Sequence, residues 1–282
     1  MQKRVAAIHD ISCFGKCSLT VALPVISAVG IETSVIPTAV LSTHTGGFTG
    51  FTYRDLTDDI LPVVRHWQTL DLKFDAIYTG FLGSFEQIDV MTEVFSVLKT
   101  PDNLILVDPV MADNGTLYSI FPPDFPEGMR KLCAHADIIV PNMTEAAMLV
   151  GEEYCEGPYD KAYIEALLGR LAKTGPQRVV LTGVYFDDKE LGAAVYENGT
   201  VAYLMSHRIE GYYHGTGDLF ASALLAGVLT GLSLADAAQA AIKLTVESIQ
   251  RTRAAGTDVR FGVNFEAGLA DFAGQLRERG NA

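Results

Sequence analysis

Short apolar segments, each ending at a glycine or polar residue and followed by a helical pattern, recur along most of the chain. The first is Val5–Ile8, which is apolar throughout and is therefore typical of a strand covered on both faces. Strands that alternate with helices form a parallel sheet with crossover connections. The pattern predicts an α/β fold with a central, mostly parallel sheet and helices on both faces, its strands at residues 5–8, 33–41, 76–79, 104–107, 138–140 and 178–181.

Between and after these strands, the spacing of apolar residues indicates helices. No linker, internal repeat or low-complexity tract separates the segments, so we expect one domain over residues 1–282. The expected helices lie at residues 18–28, 53–67, 86–98 and 142–149, with two more within 219–253 and one at 265–277.

Polar residues collect where the expected strands end. In parallel sheets, ligands bind outside the carboxyl ends of the strands. We therefore expect one rim of the sheet to carry Asp10, His44, Asp108, Asn142 and Thr182.

The charge balance excludes some partners. The chain has 21 lysines and arginines against 34 aspartates and glutamates, a formal net charge of −13. Because the basic residues form no cluster, we expect neither a nucleic acid nor an anionic membrane as partner. A small phosphorylated ligand remains compatible, since helix N-termini and a bound cation supply positive potential.

Three further features favour a cytoplasmic protein. Residues 219–235 are uncharged, but their glycines and the flanking Asp218 and Asp236 favour buried helices over a membrane span. The N-terminal segment reaches Asp10 too early for a signal peptide. The cysteines form no C-x-x-C pair and are expected to be buried or half-buried thiols of a reducing compartment; they are Cys13, Cys17, Cys133 and Cys155.

The sharpest local motif is Gly215-Thr216-Gly217-Asp218, which opens a long apolar helix. Two glycines allow backbone N–H groups to converge, and the helix N-terminus adds partial positive charge, so the motif suits a phosphate or a developing phosphoryl charge. Asp218 beside it could accept a proton from an attacking hydroxyl. A glycine turn with Asp218 as a helix cap is the alternative for these four residues taken alone.

Two other segments resemble known nucleotide-binding loops but do not fit the consensus sequence of those loops. Gly215-x-Gly217-x-x-Phe220 lacks the third glycine of the dinucleotide fingerprint and no βαβ unit follows it. Residues 10–17 occupy the place of a P-loop, but Asp10 replaces the first glycine and Cys17 replaces the Mg²⁺-binding Ser or Thr. We interpret neither as a nucleotide-binding loop of those classes.

A second candidate cluster is Asn142-Met143-Thr144-Glu145, at a strand end that enters a helix. Its oxygen atoms suit a hard cation, through water, although a capping pair would give the same spacing. Residues 108–115 form a third acidic turn, for which a solvated loop is the alternative.

His44 could bind a substrate or be structural. No G-x-S-x-G motif is present, which disfavours a hydrolase.

Taken together and in order, these segments resemble the ribokinase-like superfamily and, within it, the pyridoxal/pyridoxine/pyridoxamine kinases. The resemblance extends from Val5 to about Arg253. The motifs that carry it are Ser42–Gly46, Thr79-Gly80-Phe81, Asp108-Pro109-Val110-Met111-x-Asp113, Pro141-Asn142-x-x-Glu145 and Gly215-Thr216-Gly217-Asp218-Leu219-Phe220.

The resemblance implies an ATP-dependent kinase of vitamin B6 salvage that acts on the hydroxymethyl group of a vitamer. It implies Asp218 as catalytic base and an anion hole of Gly215, Thr216 and Gly217. It further implies Mg²⁺ at Asp113 and Glu145, a monovalent cation such as K⁺, and a homodimer. The implied ATP contacts are Asp113, Tyr118, Asn142, Thr182 and Gly183, and the implied vitamer contacts are Asp10, Ser12, His44, Thr45 and Phe81.

The departures from the family pattern lie in the implied substrate pocket. Asp10 stands where the family usually has Ser, while Phe81 and Gly47 stand where Tyr is common. Hydroxymethylpyrimidine, the substrate of a sister family, is therefore the alternative substrate. A relative that binds a vitamer without turnover is the non-catalytic alternative.

Overall fold

The computed structural model describes residues 2–280, and the chain divides into two compact units. The first comprises Met1–Asp75 and Ile209–Ala282, and the second is the continuous segment Ala76–Arg208. The expectation of a single domain over residues 1–282 stays a prediction.

In chain order, the strands are β1 (Arg4–Ser12), β2 (Glu32–Leu41), β3 (Tyr53–Asp55), β4 (Ala76–Thr79), β5 (Leu104–Val107), β6 (Ala112–Asp113), β7 (Thr116–Leu117), β8 (Ile138–Ile139), β9 (Arg178–Val184), β10 (Glu190–Glu197) and β11 (Thr200–His207). The helices are α1 (Leu19–Ala28), α2 (Thr57–Thr69), α3 (Phe85–Leu98), α4 (Phe125–Cys133), α5 (Met143–Val150), α6 (Lys161–Ala172), α7 (Thr216–Leu229), α8 (Leu234–Ala255) and α9 (Leu269–Gly280). Two short 3₁₀ helices cover Val259–Phe261 and Glu266–Gly268.

In the first unit, β1 pairs in parallel with β2, and β3 adds antiparallel to β2. Val5–Ile8 of β1 is fully buried, as its uninterrupted apolar sequence predicts. Helix α1 packs against β1, β2 and α7, and α7 packs against α8. This packing buries nearly every side chain of α7 after its first turn, which fixes the direction of the N-terminus of α7.

In the second unit the strand order is β11-β10-β9-β8-β5-β4. Strands β4, β5, β8 and β9 are parallel, whereas β10 and β11 continue from β9 as antiparallel neighbours. Helices α3 to α6 belong to this unit, and β6 and β7 form a separate small hairpin. The predicted α/β class with mostly parallel strands and surrounding helices is confirmed.

The expected helix at residues 53–67 was wrong at its start. Tyr53–Asp55 forms β3, which pairs with Ala39–Leu41, and the helix begins only at Thr57. The side chain of Asp55, the last residue of β3, accepts the N–H of Thr57, the first residue of the helix, at 2.7 Å. Helical spacing of the apolar residues could not reveal this edge strand.

Residues 219–235 are divided as expected. Helix α7 ends at Leu229, and Ser233 begins α8 by accepting the N–H of Asp236 at 3.1 Å. Within residues 2–280, the structure contains no helix of the length and apolarity needed to cross a membrane.

Candidate active site

The turn before α7 requires glycine at residue 215. Gly215 has a φ of +75°, and a Cβ atom at this position would overlap the carbonyl oxygen of Lys16. The hydroxyl of Thr216 donates to the carbonyl of Tyr213 at 3.0 Å and fixes the turn. The first N–H groups of α7 have no acceptor within the helix, so this end of α7 can receive an anion.

Asp218 lies in the first turn of α7 and is half-buried. Its carboxylate accepts the backbone N–H of Ser18, and burial, helped by the charge of Asp10, raises its pKa to about 7. A carboxylate with a pKa near neutral pH is suited to general base catalysis. The predicted base therefore has the electrostatics that the role requires.

Asp10 is buried beside two serine hydroxyls. Ser12 donates to Oδ2 of Asp10 at 3.2 Å, and the side chain of Ser18 also hydrogen-bonds to Asp10. Burial raises the pKa of Asp10. Burial, followed by the charges of Asp218 and Asp10, likewise raises the pKa of the Cys17 thiol. Two carboxylates thus share one site with a protonated thiol.

Ser18 is the residue that connects the two carboxylates, and sequence reasoning missed it. It precedes α1 with a φ of +52° and is buried. This backbone conformation is uncommon for a residue other than glycine, and here it accompanies hydrogen bonds from Ser18 to both Asp10 and Asp218. The sequence pattern placed it only at the start of the expected helix at residues 18–28.

His44 is buried, and both of its ring nitrogens contact backbone groups. Nδ1 accepts the N–H of Gly46 at 3.1 Å, so Nε2 carries the proton and donates to the carbonyl of Arg260 at 2.6 Å. Burial lowers the pKa of His44, which agrees with a neutral ring. The ring contacts Phe48 and His214. Vitamer binding by His44 and by the half-buried Thr45 stays a prediction.

In the second unit, the hairpin of β6 and β7 carries Asp113. Its turn is Asn114-Gly115, with φ values of +48° and +75°, the combination typical of a type I′ hairpin. The hairpin is attached to the start of α5, because Thr144 accepts the N–H of Gly115 at 3.0 Å and Asn142 donates to the carbonyl of Ala112 at 2.8 Å.

Glu145 is a buried carboxylate that joins this hairpin to α5. Oε2 accepts the N–H of Asn142 at 2.9 Å, and Oε1 accepts the N–H of Met111 at 3.2 Å. The Asn142 side chain accepts the N–H of Glu145 in return, which completes a capping box. Burial raises the pKa of Glu145, and the charge of Asp113 adds to the effect.

Two carboxylates in this cluster are compatible with Mg²⁺. Among the described residues, no group of three or more His, Cys, Asp and Glu side chains could hold a metal ion. Mg²⁺ at a nucleotide site needs only one or two carboxylates, because phosphates and waters complete its octahedral shell. Asp113 and Glu145 fit that donor set, and a water could link Glu145 to the ion, since both of its oxygens already accept backbone N–H groups.

The other predicted contacts of the second unit fall in two places. Thr182 forms a bridge with Asn142, and Gly183 follows it with a φ of +78°. Tyr118 follows β7 and donates its N–H to the carbonyl of Met111 at 2.9 Å. Phe81 is buried, with its ring centroid 5.7 Å from that of Phe121. Thr182, Gly183 and Tyr118 therefore lie around the α5 cluster, whereas Phe81 packs in an aromatic cluster.

The mostly parallel strands, the glycine turn before α7 and Asp218 in its first turn are features of the ribokinase-like class of α/β proteins. The family of phosphomethylpyrimidine kinases matches residues 22–262, which is most of the chain. The protein therefore belongs to this family.

Three relatives resemble this chain over most of its length. A pyridoxine/pyridoxal/pyridoxamine kinase of Bordetella avium is 30% identical over 89% of this chain and 86% of its own length. A Bacteroides thetaiotaomicron protein assigned to the phosphomethylpyrimidine kinases and crystallised with pyridoxal is 35% identical, with a TM-score of 0.90 over 96% of both chains. The pyridoxal kinase of Lactobacillus plantarum is 32% identical, with a TM-score of 0.89 over 99% of both chains.

Proposed function

We propose that this protein is a kinase that transfers the γ-phosphoryl group of ATP to the 5′-hydroxymethyl group of a B6 vitamer, giving the 5′-phosphate. The observation that carries the proposal is Asp218, a carboxylate with a pKa of about 7 in the first turn of α7, directly after the Gly215 turn. The kinases of Bordetella avium and Lactobacillus plantarum support the choice of substrate by their similarity to this chain.

In this reaction the first unit handles the acceptor hydroxyl. The ionised Asp218 orients the hydroxyl and removes its proton as the oxygen attacks phosphorus. The N–H groups at Gly215, Thr216 and Gly217 donate to the phosphoryl oxygens as charge spreads over them. The protein makes no covalent bond to the phosphoryl group, so positioning and electrostatics supply the catalysis.

The second unit supplies the nucleotide contacts in this proposal. Asp113 and, through a water, Glu145 would hold Mg²⁺, which would neutralise phosphate charge, and a monovalent cation such as K⁺ would accompany it. The remaining proposed ATP contacts are Tyr118, Asn142, Thr182 and Gly183. A homodimer and a cytoplasmic location complete the proposal.

A second candidate is phosphorylation of hydroxymethylpyrimidine in thiamine synthesis. The chain belongs to the phosphomethylpyrimidine kinase family, and a hydroxymethylpyrimidine/phosphomethylpyrimidine kinase of Rhizobium meliloti is 25% identical over 80% of this chain. The departures at Asp10, Gly47 and Phe81 lie in the proposed substrate pocket. Because both reactions phosphorylate a hydroxymethyl group on a nitrogen heterocycle, the base and the anion hole serve either one.

The test measures kcat/KM with ATP and Mg²⁺ for pyridoxal, pyridoxine, pyridoxamine and hydroxymethylpyrimidine, with detection of the phosphate ester by ³¹P NMR. We expect turnover of at least one vitamer at a kcat/KM above that for the pyrimidine. A higher value for the pyrimidine would establish the second candidate. Binding of a vitamer without any turnover would instead indicate a non-catalytic binding protein.

A further inference from the structure

Lys16 connects the loop between β1 and α1 to the segment that follows α8. Its Nζ donates to the carbonyl of Val263 at 3.1 Å, to Oδ1 of Asn264 at 2.9 Å and to Oε2 of Glu266 at 3.2 Å. An ammonium group has three donors, so each of them has an acceptor. The backbone N–H of Lys16 adds a fourth bond, to the carbonyl of Phe261 at 3.0 Å. Lys16 is thus bound to the segment after α8 by both its side chain and its backbone.

The backbone of Lys16 lies between two glycines. A Cβ atom at Gly262 would come within 2.7 Å of the Cβ and the carbonyl oxygen of Lys16, and a Cβ atom at Gly215 would overlap the same oxygen. Both glycines have a positive φ, +83° at Gly262 and +75° at Gly215. The Lys16 backbone therefore lies close to the segment after α8 on one side and to the candidate anion-binding turn on the other.

The same short stretch of backbone reaches the candidate base. Ser18, two residues after Lys16, donates its N–H to the carboxylate of Asp218. Residues 13–17 belong to no helix or strand, so the position of this stretch depends on its contacts with neighbouring segments. Residues 16–18 therefore transmit the position of the segment after α8 to both the Gly215 turn and Asp218.

An exposed ion pair alone would not fix this stretch. The side chain of Glu266 is 56% exposed, and exposed ion pairs contribute little in water. The other two acceptors, Val263 and Asn264, are uncharged, and their bonds to Nζ of Lys16 are partly buried. Hydrogen bonds from a charged donor are stronger in such surroundings. These two bonds give the lysine side chain a defined position.

We propose that Lys16 is a positioning residue for the phosphoryl transfer, which holds residues 16–18 against the segment after α8 and thereby keeps the Gly215 turn and the Asp218 carboxylate in their reactive arrangement. This inference rests on the proposed function and adds to it a residue outside the implied substrate and nucleotide contacts. The groups that act on Asp218 are Asp10 on β1 and Cys17 and Ser18 before α1. The ammonium group of Lys16 therefore acts on Asp218 through the backbone.

Loss of the ammonium group should change the ionisation of Asp218. The N–H of Ser18 lowers the pKa of Asp218, whereas burial and the charge of Asp10 raise it. If residues 16–18 loosen, the Ser18 bond weakens and the pKa rises above about 7. In Lys16→Met, we expect the midpoint of the rise in kcat/KM with pH to move up by about 0.5–1 unit. At pH 7, kcat/KM for the vitamer then falls about two- to five-fold.

Three further variants control the comparison. Lys16→Arg retains the charge and should keep the midpoint near that of the wild type. Lys73→Met removes an exposed lysine from the same unit and should leave the midpoint unchanged. Asn264→Ala/Glu266→Ala removes two of the three acceptors and should raise the midpoint even if Lys16→Met does not fold, although it removes a negative charge. An unchanged midpoint in folded Lys16→Met, or an equal shift in Lys73→Met, would overturn the proposal.

A ¹³C NMR titration separates this inference from the proposed function. With aspartate labelled at its carboxyl carbon, the Asp218 signal is the one missing from Asp218→Asn, and its titration needs no substrate. If the wild type phosphorylates neither a vitamer nor the pyrimidine, the proposed function fails, while a higher pKa of Asp218 in Lys16→Met would still support positioning of the carboxylate by Lys16. If Lys16→Met unfolds at a lower temperature but has the same Asp218 titration, Lys16 only stabilises the fold and the proposal is wrong.

Discussion

The backbone N–H of Ser18 donates a hydrogen bond to the carboxylate of Asp218, although the two residues begin different helices. This bond favours the ionised carboxylate, whereas burial favours the neutral acid. Burial has the larger effect, and the pKa of Asp218 settles at about 7. The candidate base is thus held in place by the start of α1 and kept basic by its surroundings.

Replacing the base should abolish most of the turnover. For Asp218→Ala we expect kcat to fall about 10²- to 10⁴-fold, while ATP affinity changes only a few-fold, because the carboxylate acts on the acceptor hydroxyl. Asp236→Ala is the matched control, since Asp236 occupies the same first-turn position in α8 and is exposed. Near-normal kcat in Asp218→Ala would remove the base assignment.

The pH dependence of activity should report the same group. Because Asp218 must be ionised to accept a proton, kcat/KM for the vitamer is expected to rise as the pH increases through about 7. A pH–rate profile at saturating Mg·ATP measures this rise in kcat/KM. A profile that stays flat between pH 5.5 and 8 would contradict the assignment.

The stability of the folded protein should fall as the pH rises, whereas the activity should increase. The pKa of Asp218 is raised from an ordinary 3.8 to about 7, so between these values the unfolded chain releases a proton that the folded protein keeps, and stability falls as pH rises. We expect Asp218→Asn to be more stable than the wild type at pH 8 by about 1–2 kcal/mol, allowing for solvent screening of a half-buried group. The gain should shrink toward pH 4 in urea unfolding experiments.

Gly215 should tolerate no side chain. Gly215→Ala places a methyl group against the carbonyl of Lys16 in a left-handed conformation, which should cost about 1–3 kcal/mol of stability and lower kcat. Gly217→Ala is the comparison, because a Cβ at Gly217 meets no atom within 4 Å. Equal stability of the two variants in thermal unfolding would show that the Gly215 turn can relax.

Replacing Glu145 should change the dependence of the reaction on Mg²⁺ and ATP but not on the vitamer. In Glu145→Gln the amide nitrogen cannot accept a backbone N–H, so one bond to Met111 or Asn142 is lost, and the neutral side chain organises the waters of Mg²⁺ less strongly. We expect a higher Mg²⁺ requirement and a higher KM for ATP, with the vitamer KM little changed. Glu127→Gln, at the matching exposed position of α4, is the control. Unchanged Mg²⁺ titration curves would make Glu145 a helix cap alone.

The sequence predicts those parts of the fold and site that depend on local patterns. Val5–Ile8 is apolar throughout, and the strand that it forms is buried. Gly215 and Asp218 mark the glycine turn and the first turn of α7, where anion binding is proposed, from four adjacent residues. Ser18 differs, because its role depends on an unusual φ and on partners distant in sequence. No local pattern reports such a contact.

The two hairpins that were not predicted did have a signal in the sequence. Both turn at Asn-Gly pairs, Asn114-Gly115 and Asn198-Gly199, with positive φ at all four residues. Asn-Gly is the strongest short-range signal for a type I′ hairpin. The strands of β6 and β7 have two residues each, too few for any alternation of apolar residues to be visible.

The discontinuity of the first unit has a consequence for synthesis on the ribosome. The second unit is a continuous segment that ends at Arg208, so all its strands can pair before the rest of the chain emerges. The first unit needs α1 and α7 together, and Gly215 reaches Lys16 only after almost two hundred intervening residues have been made. Since domains fold as units and N-terminal segments emerge first, a nascent chain stalled after Arg208 would hold the Glu145 cluster but not the base.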